Sequence, residues 1–79
     1  MAEVRVQLFA MLRERAGRPE MTLTLHTNDT PRAVFQRLFP EQAAAGLPVR
    51  FAKNGGWCDA ECALADGDEL VFIPPVGGG

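Results

Sequence analysis

The groups best placed to do chemistry in these 79 residues lie in the last six, Pro74-Pro75-Val76-Gly77-Gly78-Gly79. A terminal carboxylate is inert until it is activated. Adenylation by ATP on a partner enzyme would supply a leaving group, and a sulfur or amine nucleophile could then displace it. Three glycines suit that use. Gly77, Gly78 and Gly79 carry no side chain to block a narrow channel, and their backbone freedom lets the carbonyl turn toward the nucleophile. Pro74 and Pro75 cannot continue a sheet ladder, and they stiffen the base of the tail so that it projects.

Other reactive groups are few. Cys58 and Cys62 are separated by three residues, which is neither a disulfide framework nor a usual zinc pair, so they read as free thiols. His26, the one remaining metal-ligating nitrogen, sits in a different segment, and no metal site is expected. It falls on the Thr side of an alternating stretch and reads as a solvent-facing strand residue, with no Ser or Cys beside it to form a nucleophile pair.

The elements that must position the tail follow from periodicity. Val4, Val6 and Leu8 alternate with Arg5, Gln7 and Phe9, which predicts a half-buried first strand with one aromatic out of place on the polar side. Met11 to Ala16 gives a short helical or irregular turn, stopped by Gly17 and Pro19. Met21, Leu23 and Leu25 against Thr22, Thr24 and His26 predict its antiparallel partner. Thr30 and Pro31 form a helix start, with Val34, Phe35 and Leu38 as the inward stripe to about Phe39. Pro40 ends that helix, and Glu41 to Ala45 can add a turn. Val49 and Phe51 open a third strand that closes on Asn54-Gly55-Gly56 as a hairpin. From Trp57 to Cys62 the pattern alternates again, with Cys58, Ala60 and Cys62 inward and Trp57, Asp59 and Glu61 outward. After the Asp66-Gly67-Asp68 turn, Glu69 to Ile73 is apolar enough for a central strand. A helix packed diagonally on a mixed sheet, with the terminal strands as central neighbours, is an α+β, β-grasp arrangement.

Length and composition agree with one small domain. The chain is 47% hydrophobic and 23% charged, which excludes a disordered tail, and it has no room for a second cofactor-binding fold. A net charge of −2 argues against nucleic-acid binding. The charge is uneven: residues 1–53 hold eight bases against five acids, while residues 54–79 hold Asp59, Glu61, Asp66, Asp68 and Glu69 and no base. That acidic pole is either a solvated face or a steering field for a basic partner. No stretch approaches a membrane span and the N-terminus lacks a signal-peptide core, so a cytoplasmic protein with no membrane association is expected.

Three groups of residues carry a resemblance. Phe9, Ala10, Arg13, Glu14 and Gly17 fit F-A-x-x-R-E-x-x-G. Asn54, Leu64 and Gly67-Asp68-Glu69 fit N-x9-L-x2-GDE, and the last six residues fit PPV-x-GG. On these the sequence resembles, almost end to end, the small sulfur-carrier (MoaD-like) subunit of molybdopterin synthase. The triple glycine departs from relatives that carry Ser, Thr or Ala before the final pair.

The resemblance implies a ubiquitin-like β-grasp with a mixed sheet of four to five strands, one main helix on one face, a domain over residues 1–74 and a flexible tail over 75–79. It implies that Gly79, beside Gly78, is adenylated, converted to a thiocarboxylate, and donates sulfur to a cyclic pyranopterin precursor. The partners implied are the large synthase subunit, which would hold the catalytic side chains, an E1-like adenylating enzyme that consumes ATP, and a sulfurtransferase. No cofactor would be bound stably. Phe9, Trp57, Ile73, Pro74, Pro75, Val76 and Gly77 would form the docking surface. The rival readings are a sulfur carrier for thiamine or another pathway, a ubiquitin-like modifier of protein lysines, and a plain interaction module.

Overall fold

Alternation decides the first strand. β1 (Glu3–Leu8) buries Val4, Val6 and Leu8 and leaves Glu3 and Arg5 exposed. The computed structural model describes residues 1–75. After β1 come α1 (Ala10–Ala16), β2 (Glu20–Thr24), α2 (Pro31–Leu38), α3 (Pro40–Ala44), β3 (Arg50–Lys53), β4 (Gly56–Cys58) and β5 (Glu69–Ile73). The short turn expected before Gly17 is thus a helix, closed by Gly17 at φ +78, whose N–H donates to the Arg13 carbonyl. The turn expected after Pro40 is also a helix, because that proline both stops α2 and suits the first position of α3.

The sheet order is β2-β1-β5-β3-β4, with β1 and β5 parallel and the other pairs antiparallel. This is the ubiquitin-like β-grasp, with the first and last strands adjacent at the centre. α2 covers one face. Its first turn is capped by the Thr30 hydroxyl, which accepts from the Ala33 N–H at 3.2 Å, and Pro31, Val34 and Phe35 point inward. Phe72 of β5 is fully buried at the centre of an aromatic cluster, edge-on to Phe35 at 5.3 Å, Phe51 at 5.5 Å and Phe39 at 6.3 Å. Leu12 of α1, also fully buried, belongs to the same core.

One expected element is corrected. The alternation from Trp57 to Cys62 suggests a continuous strand, but β4 ends at Cys58, its last residue paired with β3. The chain turns at Asp59, whose carbonyl accepts the Cys62 N–H at 3.2 Å, and the Ala60 carbonyl accepts the Arg32 N–H at 3.0 Å. The opening N–H groups of a helix have no acceptor within it. Ala60 supplies one to α2, and the ladder beyond Cys58 is given up in exchange. Cys58 and Ala60 still pack toward the core, as expected, for a different reason.

The N-x9-L-x2-GDE spacing proves to be a clasp. Asn54 (φ +52) and Gly55 (φ +86) are the two loop residues of the β3–β4 hairpin. The Asn54 side chain then crosses to the start of β5. Its amide donates to Asp68 Oδ1 at 2.9 Å, its oxygen accepts the Glu69 N–H at 2.9 Å, and its own backbone N–H donates to the Glu69 carbonyl at 2.8 Å. Asp68 also accepts the Ala65 N–H at 2.8 Å, across a turn in which Gly67 holds φ +85. Leu64 packs on the core between these two anchor points.

The Asn54 amide and the Ala65 N–H hold the Asp68 carboxyl below its ordinary value of 3.8. A depressed folded value contributes stability above the unfolded pKa that is lost as pH falls through the folded one. Asn54→Gly keeps the positive φ and removes the clasp. Urea unfolding at neutral pH should show a loss of about 1–2 kcal/mol, and the difference from the parent should shrink on acidification below the ordinary Asp68 value. An unchanged midpoint would rule out the clasp.

Candidate functional site

The sheet face opposite α2 carries the side chains that alternate with the core. In β5 these are Val71 and Ile73, because Leu70 and Phe72 are fully buried. Ala52 pairs with Val71 on one side and with Trp57 on the other, so Val71, Ala52 and Trp57 form one row across three strands. Arg50 pairs with Ile73 in the next row. Its guanidinium carbon lies 4.5 Å from the centroid of the Trp57 ring, within cation–π range.

Trp57, Ile73, Pro74 and Pro75 are brought together, with Pro48, Val49 and Arg50, around an open groove of about 390 Å³. Trp57 is 65% exposed and does not close the edge of the core. Pro74 is buried and contributes only its rim to the groove, while Pro75 is exposed. Phe9 does not line the groove. It is extended (φ −128, ψ 157), 47% exposed, and follows Leu8, which pairs with Phe72. That register sets Phe9 at the level of Ile73 on the neighbouring strand. Val76, Gly77, Gly78 and Gly79 lie outside the described residues.

Sequence reasoning missed Pro48, Val49 and Arg50. A signal for Arg50 was present in strand parity, since it flanks the inward Phe51 and must share a face with Ala52. Its stacking on Trp57 depends on the hairpin twist and was not visible. Asp59 and Glu61, outward with Trp57 in the alternating pattern, do not line this groove: Glu61 sits beyond the end of β4 and pairs with Arg32 of α2 at 2.7 Å, and the charged side chain on the groove is the cation Arg50.

The acidic pole is largely committed to structure. Asp66 accepts the Glu3 N–H at 2.8 Å, Asp68 serves the clasp, and Glu69 lies 3.8 Å from Arg5. Exposed pairs of this kind contribute little stability individually.

Behind Trp57 a second opening of about 600 Å³ shares Val49, Arg50 and Trp57 with the groove and is lined further by Phe51, Cys58, Asp59, Ala60 and Cys62. Burial, reinforced by a hydrogen bond with the Cys62 side chain, pushes the Cys58 thiol up to about 11, against a smaller downward pull from Lys53. Among the described residues no group of three or more His, Cys, Asp or Glu could hold a metal ion, and no helix is long and apolar enough to cross a membrane.

The geometry is that of a rigid β-grasp body with an aromatic and proline-lined groove at the point where the chain leaves the sheet. Residues 6–79 match the model of the ThiS family. The chain belongs to the ThiS family. It is 32% identical to the molybdopterin synthase sulfur carrier subunit of Arabidopsis thaliana over 98% of its own length and 83% of that protein's. Among solved structures, this ThiS-family chain is similar to the small archaeal modifier protein 1 of Methanosarcina acetivorans, with 31% identity, a TM-score of 0.75, and coverage of 100% and 98% of the two chains. It is also similar to a chain in the complex of subunits 1 and 2 of the molybdopterin-converting factor of Helicobacter pylori, with 26% identity, a TM-score of 0.61, and coverage of 98% and 99%.

Because Trp57 is exposed on an edge strand, Trp57→Ala should lower stability by about 1 kcal/mol, whereas Phe72→Ala should cost about 3–5 kcal/mol through loss of the central core aromatic. Paired urea melts of the two variants test the assignment of Trp57 to the surface. Equal losses would return it to the core.

Proposed function

We propose that this ThiS-family protein is a sulfur carrier for molybdopterin synthesis, with the Gly79 carboxylate as the group that is loaded. The observation that carries the reading is the similarity, over nearly the whole chain, to a molybdopterin synthase sulfur carrier subunit, together with the Pro74–Gly79 sequence. In the proposed cycle a Gly79 carboxylate oxygen attacks the α-phosphate of ATP on an E1-like partner, and pyrophosphate leaves. A sulfur nucleophile supplied by a sulfurtransferase then displaces AMP, leaving a thiocarboxylate. Inside the large synthase subunit the thiocarboxylate gives up its one sulfur to the cyclic pyranopterin precursor and water restores the carboxylate, so the two sulfurs of the dithiolene take two loaded carriers.

In this division of labour the chain delivers a reactive group and the partners supply the acid–base residues. Its own contribution is positional. Pro74 is anchored in the body and Pro75 starts the tail, so Gly77 to Gly79 can enter a partner's active site while the groove at Trp57 and Ile73, with Phe9 nearby, docks against that partner. The Helicobacter pylori similarity, to a protein solved in a subunit 1–subunit 2 complex, supports a large-subunit partner.

A second reading is favoured by a specific observation, the similarity to a small archaeal modifier protein at 31% identity. A modifier would use the same activated Gly79 and take a lysine amine in place of sulfur, forming an isopeptide bond.

The deciding experiment is intact mass spectrometry after incubation with an adenylating enzyme of the same cell, ATP and a sulfur source. One oxygen exchanged for sulfur at Gly79 is the expected result, and removal of Gly78 and Gly79 should abolish it. Covalent ladders on cellular proteins without a thiocarboxylate would replace the carrier reading with the modifier.

A further inference from the structure

Two thiols that neither the groove nor the tail uses line one opening at the end of β4. Cys58 closes the β3–β4 ladder opposite Phe51, and the chain then turns at Asp59, whose carbonyl accepts the Cys62 N–H, so that Cys62 returns to the opening that Cys58 lines. Both are half-buried and both line the opening behind Trp57, so a small molecule in solution can reach them.

The turn that presents Cys62 is held from three sides. The Ala60 carbonyl accepts the Arg32 N–H at 3.0 Å, Glu61 pairs with the Arg32 guanidinium at 2.7 Å, and Lys53 donates to the Ala63 carbonyl at 3.0 Å. Cys62 lies between those anchors. Little conformational freedom is left to lose when the two sulfurs join, and a second sulfur held in place reacts as though it were highly concentrated.

We propose that Cys58 and Cys62 form a redox-active dithiol that closes to an intramolecular disulfide behind Trp57. The oxidant is a low-molecular-weight disulfide. One cysteine thiolate attacks a sulfur of that disulfide, forming a mixed disulfide and expelling one small thiolate. The second cysteine attacks the protein sulfur of the mixed disulfide and expels the other. Two protein thiols and one small disulfide become one protein disulfide and two small thiols, which take up the two protons.

Burial pushes the Cys58 thiol up where it faces Cys62, Lys53 and Asp59. The thiolate is the nucleophile, so closure speeds up as pH rises. Closure ties the 59–68 connection to the end of β4, the strand that carries Trp57 into the docking groove.

The test uses the full chain in glutathione redox buffers, with acid quenching and intact mass. Because the sequence has only two cysteines, a monomer lighter by two hydrogens identifies the Cys58–Cys62 bond without mapping. That species is expected, reversible with dithiothreitol and accompanied by a fall in Trp57 emission. Cys58→Ser and Cys62→Ser should each instead accumulate one glutathione on the cysteine that remains. A parent protein that carries one or two glutathiones at equilibrium, forms a disulfide-linked dimer, or stays fully reduced in oxidised glutathione would overturn the proposal. None of these outcomes bears on whether Gly79 carries sulfur.

Discussion

The parallel pairing of β1 with β5 is the constraint on which the rest of the structure depends. Strands from opposite ends of the chain must meet at the middle of the sheet, and such non-local contacts repay their closure entropy only after everything between them has been ordered. Phe72 shows how the cost is met. It stands on β5, the middle strand of the five, and gathers Phe35, Phe39 and Phe51 from α2, its C-terminal cap and β3 into one aromatic core. The Asn54 clasp sets the register of that strand at its entry, where a slip of one residue would turn Phe72 outward and Val71 inward.

Function is arranged around the same strand. The alternation that buries Leu70 and Phe72 obliges Val71 and Ile73 to face the other way, and the two prolines that end the ladder place the exit of the tail beside Ile73. The groove and the base of the tail are therefore rigidly coupled through five residues of β5. A partner that grips Trp57 and Ile73 also determines where Pro75 points. The cation stacked on Trp57 belongs to the same coupling, since Arg50 is Ile73's partner in the ladder.

The acidic residues show how a feature changes meaning once it is folded. Five acids in the last third of the chain form a pole on paper. In space Asp66 holds the start of β1, Asp68 holds the hairpin, Glu61 holds α2 and Glu69 neighbours Arg5. Each carboxylate keeps its charge, while its oxygens serve as local acceptors in the fold. Similarly, the conspicuous G-D-E spacing serves fold register.

Much was legible from residue order alone. The period-two patterns of Val4-Val6-Leu8 and Met21-Leu23-Leu25, the Thr30-Pro31 helix start, the Asn54-Gly55 turn and the central position of Glu69 to Ile73 are local signals, each settled by neighbours a few residues away. The β-grasp follows from them because few topologies accept that order. The end of β4 at Cys58, the helix formed after Pro40, the stacking of Arg50 on Trp57, the separation of Phe9 from the groove and the meeting of Cys58 with Cys62 were not legible. Each is decided by a partner distant in sequence or by backbone direction: the free N–H groups of α2 recruit Ala60, and the hairpin twist aims Arg50. By itself the sequence determined which faces are apolar and that a glycine run follows two prolines. Only the tertiary structure decided what those faces meet, because hydrogen-bond satisfaction and strand register are properties of the assembled sheet.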